Sequence, residues 1–232
     1  MARIANGILG GFSGKVGTVV GSSWNSINYM RSLAASYSDA KSETQVCQRG
    51  KFTQAVRFLK AMPKFIRVGF GNHARGQSAY SEAMSYLLRY AAEGCGEEAT
   101  LNYDKVLVSR GSLMTAGGAS VSADGSSLTF TWTDNSGVGN AMADDVALVL
   151  AYDKERQEAV YDLSAATRAD GTAGLTLPSH WADDALAVYL GFCSADGKEV
   201  ANSVCLQNDG VTTQPGGETG GGEGGDDEDL FG

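Results

Sequence analysis

Leu128-Thr129-Phe130-Thr131-Trp132 alternates apolar and polar side chains without a break. A period of two puts Leu128, Phe130 and Trp132 on one face of a strand and the threonines on the other, as in a sheet with one covered face. Turn residues bracket the run, Asp124-Gly125 before it and Asp134-Asn135-Ser136-Gly137 after it. Outward from here the same texture repeats. Short β-favouring runs occupy 106–109, 119–122, 146–152, 159–163, 174–177, 185–193 and 200–206, with further turns at Asp170-Gly171 and Asp196-Gly197. No helical period intervenes, so residues 97–207 are expected to form an antiparallel β-sandwich.

Upstream the period changes. Over 43–62, Phe52, Ala55, Val56, Leu59 and Met62 share one helical face, with Ser42 as N-cap and Pro63 as terminator. Residues 77–92 predict a second helix with Tyr80, Ala83, Met84, Leu87, Leu88 and Ala91 on its apolar side, capped by Ser78 and closed by Gly94. The two make an αα-hairpin joined by 64–75. Residues 8–33 read as a glycine-rich β-hairpin containing Lys15-Val16-Gly17-Thr18-Val19-Val20 and the β-favouring Trp24, Ile27 and Tyr29. Two roles fit it: an ordinary hairpin packed on the helices, or one that pairs with a partner's sheet. The tail, 208–232, is Gly-rich and ends Asp226-Asp227-Glu228-Asp229-Leu230-Phe231-Gly232, too poor in apolar residues to fold alone. The expected architecture is therefore α+β in three parts. They are a basic hairpin and helical domain (1–96), a β-sandwich (97–207) and a disordered acidic tail (208–232).

The 232 residues carry a net charge of −9 and 43% hydrophobic residues, which excludes wholesale disorder; no run is long enough to span a membrane. The charge is polarised. Residues 1–92 hold 12 Lys/Arg against 3 Asp/Glu, residues 93–215 hold 6 against 18, and 216–232 hold 6 acids and no base. Glycines interrupt the first 22 residues, so no signal-peptide core is expected there. Cys47, Cys95, Cys193 and Cys205 are too scattered for a disulfide framework, and a hairpin turn at 196–197 keeps Cys193 and Cys205 apart. These features predict reduced thiols and a cytoplasmic or particle-associated protein.

Catalytic constellations are missing from the pattern. Gly11-Phe12-Ser13-Gly14-Lys15 lacks the first Gly and the final Ser/Thr of a phosphate loop, and Gly69-Phe70-Gly71-Asn72-His73-Ala74 follows no strand of a βαβ unit. His73 and His180 are not at metal-ligand spacing, and Asp134, Asp144-Asp145 and Asp183-Asp184 fit no calcium loop. No metal, cofactor or enzymatic activity is expected. Two features suggest binding instead. Arg49, Arg57, Lys60, Lys64 and Arg67, with Phe65, Phe70, Tyr80 and Tyr90 nearby, form a candidate single-stranded nucleic-acid surface; a solvated face or one docked on acidic protein are the alternatives. The acidic tip Asp226, Asp227, Glu228, Asp229, Leu230 and Phe231 is a candidate partner-recruiting tail, and resembles the tails of bacterial and phage single-stranded-DNA-binding proteins.

Met1-Ala2-Arg3-Ile4-Ala5-Asn6-Gly7-Ile8-Leu9-Gly10-Gly11-Phe12-Ser13-Gly14-Lys15-Val16-Gly17, Gly21-Ser22-Ser23-Trp24 and Tyr29-Met30-Arg31-Ser32 resemble the opening of an uncharacterised family widespread in Bacteroidota, a likeness that spans roughly residues 1–206. Ser42-Glu43-Thr44-Gln45, Gln48-Arg49 and Phe52 resemble its Thr-x-Ala-Gln and Gln-Arg-x-x-Phe element, and 128–137, Ala143-Asp144-Asp145 and 194–200 continue the likeness. That resemblance implies a fold pattern and no site residues. The opening and the helix also look like parts of phage and prophage virion or assembly proteins. Residues 97–207 resemble fibronectin type III domains, which implies a core role for Trp132. The expected function is a non-enzymatic structural or assembly protein with protein partners or self-association. Single-stranded nucleic-acid binding with a regulatory tail is the alternative.

Overall fold

The computed structural model describes residues 3–4, 10–24, 27–36, 39–71, 76–124, 126–181, 185–208 and 211–212. The chain divides into two compact units, 1–42 and 43–232.

In the first unit, β1 (Arg3–Ile4), β2 (Phe12–Val16), β3 (Val19–Trp24) and β4 (Ile27–Ser32) form one antiparallel sheet in chain order. This corrects the expected hairpin, with its turn between the runs 15–20 and 24–31: Val16 and Val19 already pair across a turn, Gly21-Ser22-Ser23 lies inside β3, and the next strand begins only after Trp24. Gly17, at φ +57°, makes the turn that pairs Val16 with Val19, a conformation side chains resist. The register continues Val20↔Arg31, Gly21↔Met30, Ser22↔Tyr29 and Trp24↔Ile27.

The second unit begins with α1 (Glu43–Ala61), α2 (Pro63–Gly69) and α3 (Ala79–Tyr86), the last running into a single π-helical turn at Leu87–Ala91. Pro63 does end α1, but it also opens α2: its missing N–H costs nothing at a first helical position. The expected linker 64–75 is therefore largely helical where it is described. Ser78 caps α3 as expected, its hydroxyl accepting the Ser81 N–H at 3.1 Å. The short strands β5 (Ala92–Glu93) and β6 (Thr100–Leu101) then pair with each other. A disulfide joins Cys47 of α1 to Cys95 between them, correcting the expectation of four reduced thiols; Cys193 and Cys205 are free. The pairing was hidden because the two cysteines, 48 positions apart in the sequence, come together only in three dimensions.

The remaining strands are β7 (Gly117–Asp124), β8 (Ser127–Thr133), β9 (Val146–Asp153), β10 (Glu158–Asp162), β11 (Thr172–Thr176), β12 (Leu186–Cys193), β13 (Val204–Asn208) and β14 (Val211–Thr212). They form two antiparallel sheets, β11-β8-β7 and β10-β9-β12-β13-β14. Leu128, Phe130 and Trp132 of β8 share a core with Val149 of β9 and Val188, Leu190 and Phe192 of β12. Trp132 packs edge-on against Phe192 with ring centroids 5.5 Å apart. Side chains of this size contribute about 1.5–3 kcal/mol each when fully buried.

The opposite face of β9 and β12 is buried as well. Leu148, Leu150, Tyr152 and Tyr189 join Phe58, Leu59, Met62, Phe65, Ile66 and Phe70 of the helices in a second core. Phe58 meets Tyr152 edge-on at 4.7 Å and Phe65 meets Tyr161 at 5.8 Å. The division expected at 96/97 falls inside this shared core, and the only break between compact units is at 42/43. Residues 106–109, expected as a strand, are irregular: Val108 and Ser109 donate backbone N–H groups to the Ser203 hydroxyl at 2.9 and 3.4 Å, so a side chain replaces a ladder. The fold is mixed α and β, with mostly antiparallel sheets and three α-helices among the described residues.

Candidate functional site

The first unit displays what soluble surfaces ordinarily hide. Six of the twelve large apolar side chains exposed among the described residues, Val16, Trp24, Ile27, Tyr29, Met30 and Leu33, belong to its 42 residues. Trp24 is 72% exposed and Met30 70%. Residues paired across an antiparallel ladder share a face. The register therefore places Trp24, Ile27, Tyr29 and Val20 on one side, with Lys15 and Arg31 at its far end, and Val16, Val19 and Met30 on the other. All six residues of β4 are exposed. Gly10, Gly11 and Phe12 approach Asn28, Tyr29 and Met30 to leave a cleft of about 340 Å³. Gly11 permits this approach, since a Cβ there would collide with the Asn28 side chain. Both faces of the sheet thus carry exposed apolar side chains.

The basic stripe is only half what the sequence suggested. Arg49, Arg57 and Lys60 on α1 and Lys64 and Arg67 on α2 are exposed. Phe65 and Phe70 are fully buried against the five-stranded sheet and present no ring for base stacking. Burial pushes the Tyr152 phenol well above its ordinary range, and the Arg57 charge acts weakly the other way. Phe52, expected in the core, is 51% exposed, and Phe58 takes its place. The acidic tip 226–231 lies outside the described residues.

Sequence reading missed a third feature entirely. Arg168, in the 3₁₀ turn Arg168–Asp170, is fully buried. Its guanidinium donates to the Asp145 carboxylate at 3.0 Å, the Asn135 amide oxygen at 2.7 Å and the Met114 carbonyl at 2.9 Å, and lies 4.0 Å from the Phe192 ring centroid. Its carbonyl accepts the Trp132 indole N–H at 2.8 Å. The turn is held by Asp170, which accepts the Thr167 N–H and hydroxyl; these bonds keep the Asp170 carboxyl below its usual range. Each nitrogen of the Arg168 guanidinium has a protein acceptor, the arrangement of a structural node. It is where two of the segments that carry the family likeness, 128–137 and 143–145, meet.

No helix among the described residues is long and apolar enough to cross a membrane. No curated protein and no solved structure matches the chain. A family model matches residues 11–207, from the first unit's sheet through both cores, and the chain accordingly belongs to the family of unknown function DUF6266.

Proposed function

We propose that this chain is a non-enzymatic structural or assembly component that engages protein partners through its N-terminal sheet. In this reading residues 43–207 are the rigid support, the two packed sheets being a sandwich of fibronectin type III-like build. The observation that carries it is the concentration of exposed Trp24, Ile27, Tyr29 and Met30 on one small sheet. Leaving those side chains in water forgoes roughly 25 cal/mol for every Å² that a partner would cover. Particle-associated residence fits such a component, whereas the Cys47–Cys95 disulfide speaks against the reducing cytoplasm that four free thiols implied. The nucleic-acid alternative keeps only the exposed Tyr80 and Tyr90 as stacking rings, because Phe65 and Phe70 are inside the protein.

Light scattering behind size exclusion tests the reading. The full chain is expected to self-associate as its concentration rises, and a Trp24→Glu/Ile27→Glu variant to shift toward monomer with an unchanged circular dichroism spectrum. A wild type that stays monomeric at all concentrations and salts, or a variant that assembles normally, overturns it.

A further inference from the structure

We infer that the partner of the N-terminal sheet is a second copy of this chain, paired edge to edge through β4 about a two-fold axis at Met30. The inference rests on the assembly reading above and specifies its geometry. β4 ends the strand order, so among the described residues one of its edges carries no partner strand.

The ladder shows which backbone groups that edge offers. Leu33 donates its N–H to Thr18 at 2.7 Å, across the same ladder that pairs Val20 with Arg31 and Ser22 with Tyr29. In an antiparallel strand consecutive residues turn their N–H and C=O to opposite edges. The odd residues 27, 29, 31 and 33 therefore bond inward to β3, and Asn28, Met30 and Ser32 point their backbone groups outward. A second strand must bond to those three even positions.

Antiparallel pairing centred on Met30 uses all of them: Met30 opposite Met30′, and Asn28 opposite Ser32′ twice. The side chains then match without exception. Ile27-Asn28-Tyr29-Met30-Arg31-Ser32-Leu33 reads as its own complement about Met30. Ile27 faces Leu33′, two exposed apolar residues. Asn28 faces Ser32′, both polar. Tyr29 faces Arg31′, an aromatic ring beside a guanidinium, the arrangement of a cation–π contact. No like charges are opposed, which cross-strand pairing penalises. A two-fold contact of one strand with itself is closed, so it yields a dimer and not an open fibre. The pairing also joins two four-stranded sheets into one of eight, bringing both copies of the Trp24, Ile27 and Tyr29 face together on one side.

Single cysteines read the register. Residues opposite each other at a hydrogen-bonded pair lie about 5.5 Å apart at Cα, within reach of a disulfide. Met30→Cys is expected to give a disulfide-linked dimer on mild oxidation, and Asn28→Cys/Ser32→Cys to do the same. Asn28→Cys alone is not, because its copies sit four residues apart, about 13 Å. The wild type provides the control for Cys193 and Cys205. A second variant needs no new bond: Met30→Pro removes only an outward N–H, leaving the β3–β4 ladder intact, and is expected to weaken dimerisation about tenfold or more in sedimentation equilibrium. Oligomers that form without the Met30→Cys link and ignore Met30→Pro overturn the edge pairing while leaving the assembly reading in place. A chain that is monomeric throughout overturns both.

Discussion

Arg168 shows how much of a fold can hang on a residue that a sequence disguises. Ala166-Thr167-Arg168-Ala169-Asp170-Gly171 has the composition of a solvated turn, and nothing in its spacing distinguishes the arginine from a surface one. Burial supplies the difference. The guanidinium is bonded to Asp145, Asn135 and Met114 and is fully buried. Removing one member of such a pair strands the other charge in the interior, so Arg168→Ala is expected to cost about 3–5 kcal/mol in urea denaturation. Arg168→Lys should recover little, since an ammonium cannot reproduce the planar fork. A loss under about 1 kcal/mol in Arg168→Ala, the range of surface pairs, would show the node to be solvated. Aromatic residues were misread for a related reason. Periodicity ranked Phe52 with Ala55 and Leu59, yet the packed face is Ala55, Phe58, Leu59 and Met62. A helical wheel shows which residues are neighbours, but not where the covering sheet ends.

Among the elements, the joint between α1 and the β5–β6 loop depends on covalent chemistry more than on apolar burial. The Cys47–Cys95 disulfide fastens it. One turn along α1, Gly50 lies so close to the Gly96 carbonyl that a Cβ would not fit. Gly94 and Gly96, at φ +73° and +60°, bend the loop onto the helix. Cross-linking residues 48 apart restricts the unfolded chain by about 4 kcal/mol on the loop-entropy account. Cys95→Ser, or reductant added to the wild type, is therefore expected to lower the denaturation midpoint and to steepen the slope, since the unlinked unfolded chain exposes more surface. A midpoint insensitive to reductant would mean that the glycine contact holds the joint alone. Strand identity was legible, since the alternation in 128–132 and the turns at 171 and 197 lie where expected, with positive φ at both glycines. The role of Pro63 was only half legible: the residue that ends one helix is also well suited to begin the next.

For the whole molecule, the sign that the helices and sheets form one body was present and unread. β9, Val-Ala-Leu-Val-Leu-Ala-Tyr, and β12, Leu-Ala-Val-Tyr-Leu-Gly-Phe-Cys, do not alternate. Strands apolar at consecutive positions are covered on both faces, so a third layer had to lie on the side away from β8. That layer is α1 and α2, which is why a boundary at 96/97 does not separate two cores. The same logic predicts what the first unit contributes. Among the described residues, every buried apolar residue of both cores lies at position 55 or beyond. The disulfide and the Arg168 node also lie beyond residue 42. Residues 43–232 should therefore fold alone, with one cooperative melt within a few degrees of the full chain's, while self-association disappears. Differential scanning calorimetry paired with sedimentation velocity measures both on one sample. A truncated chain that melts broadly or far lower would place residues 1–42 within the folding unit. One that melts normally and still assembles would move the interface to the exposed cations of α1 and α2.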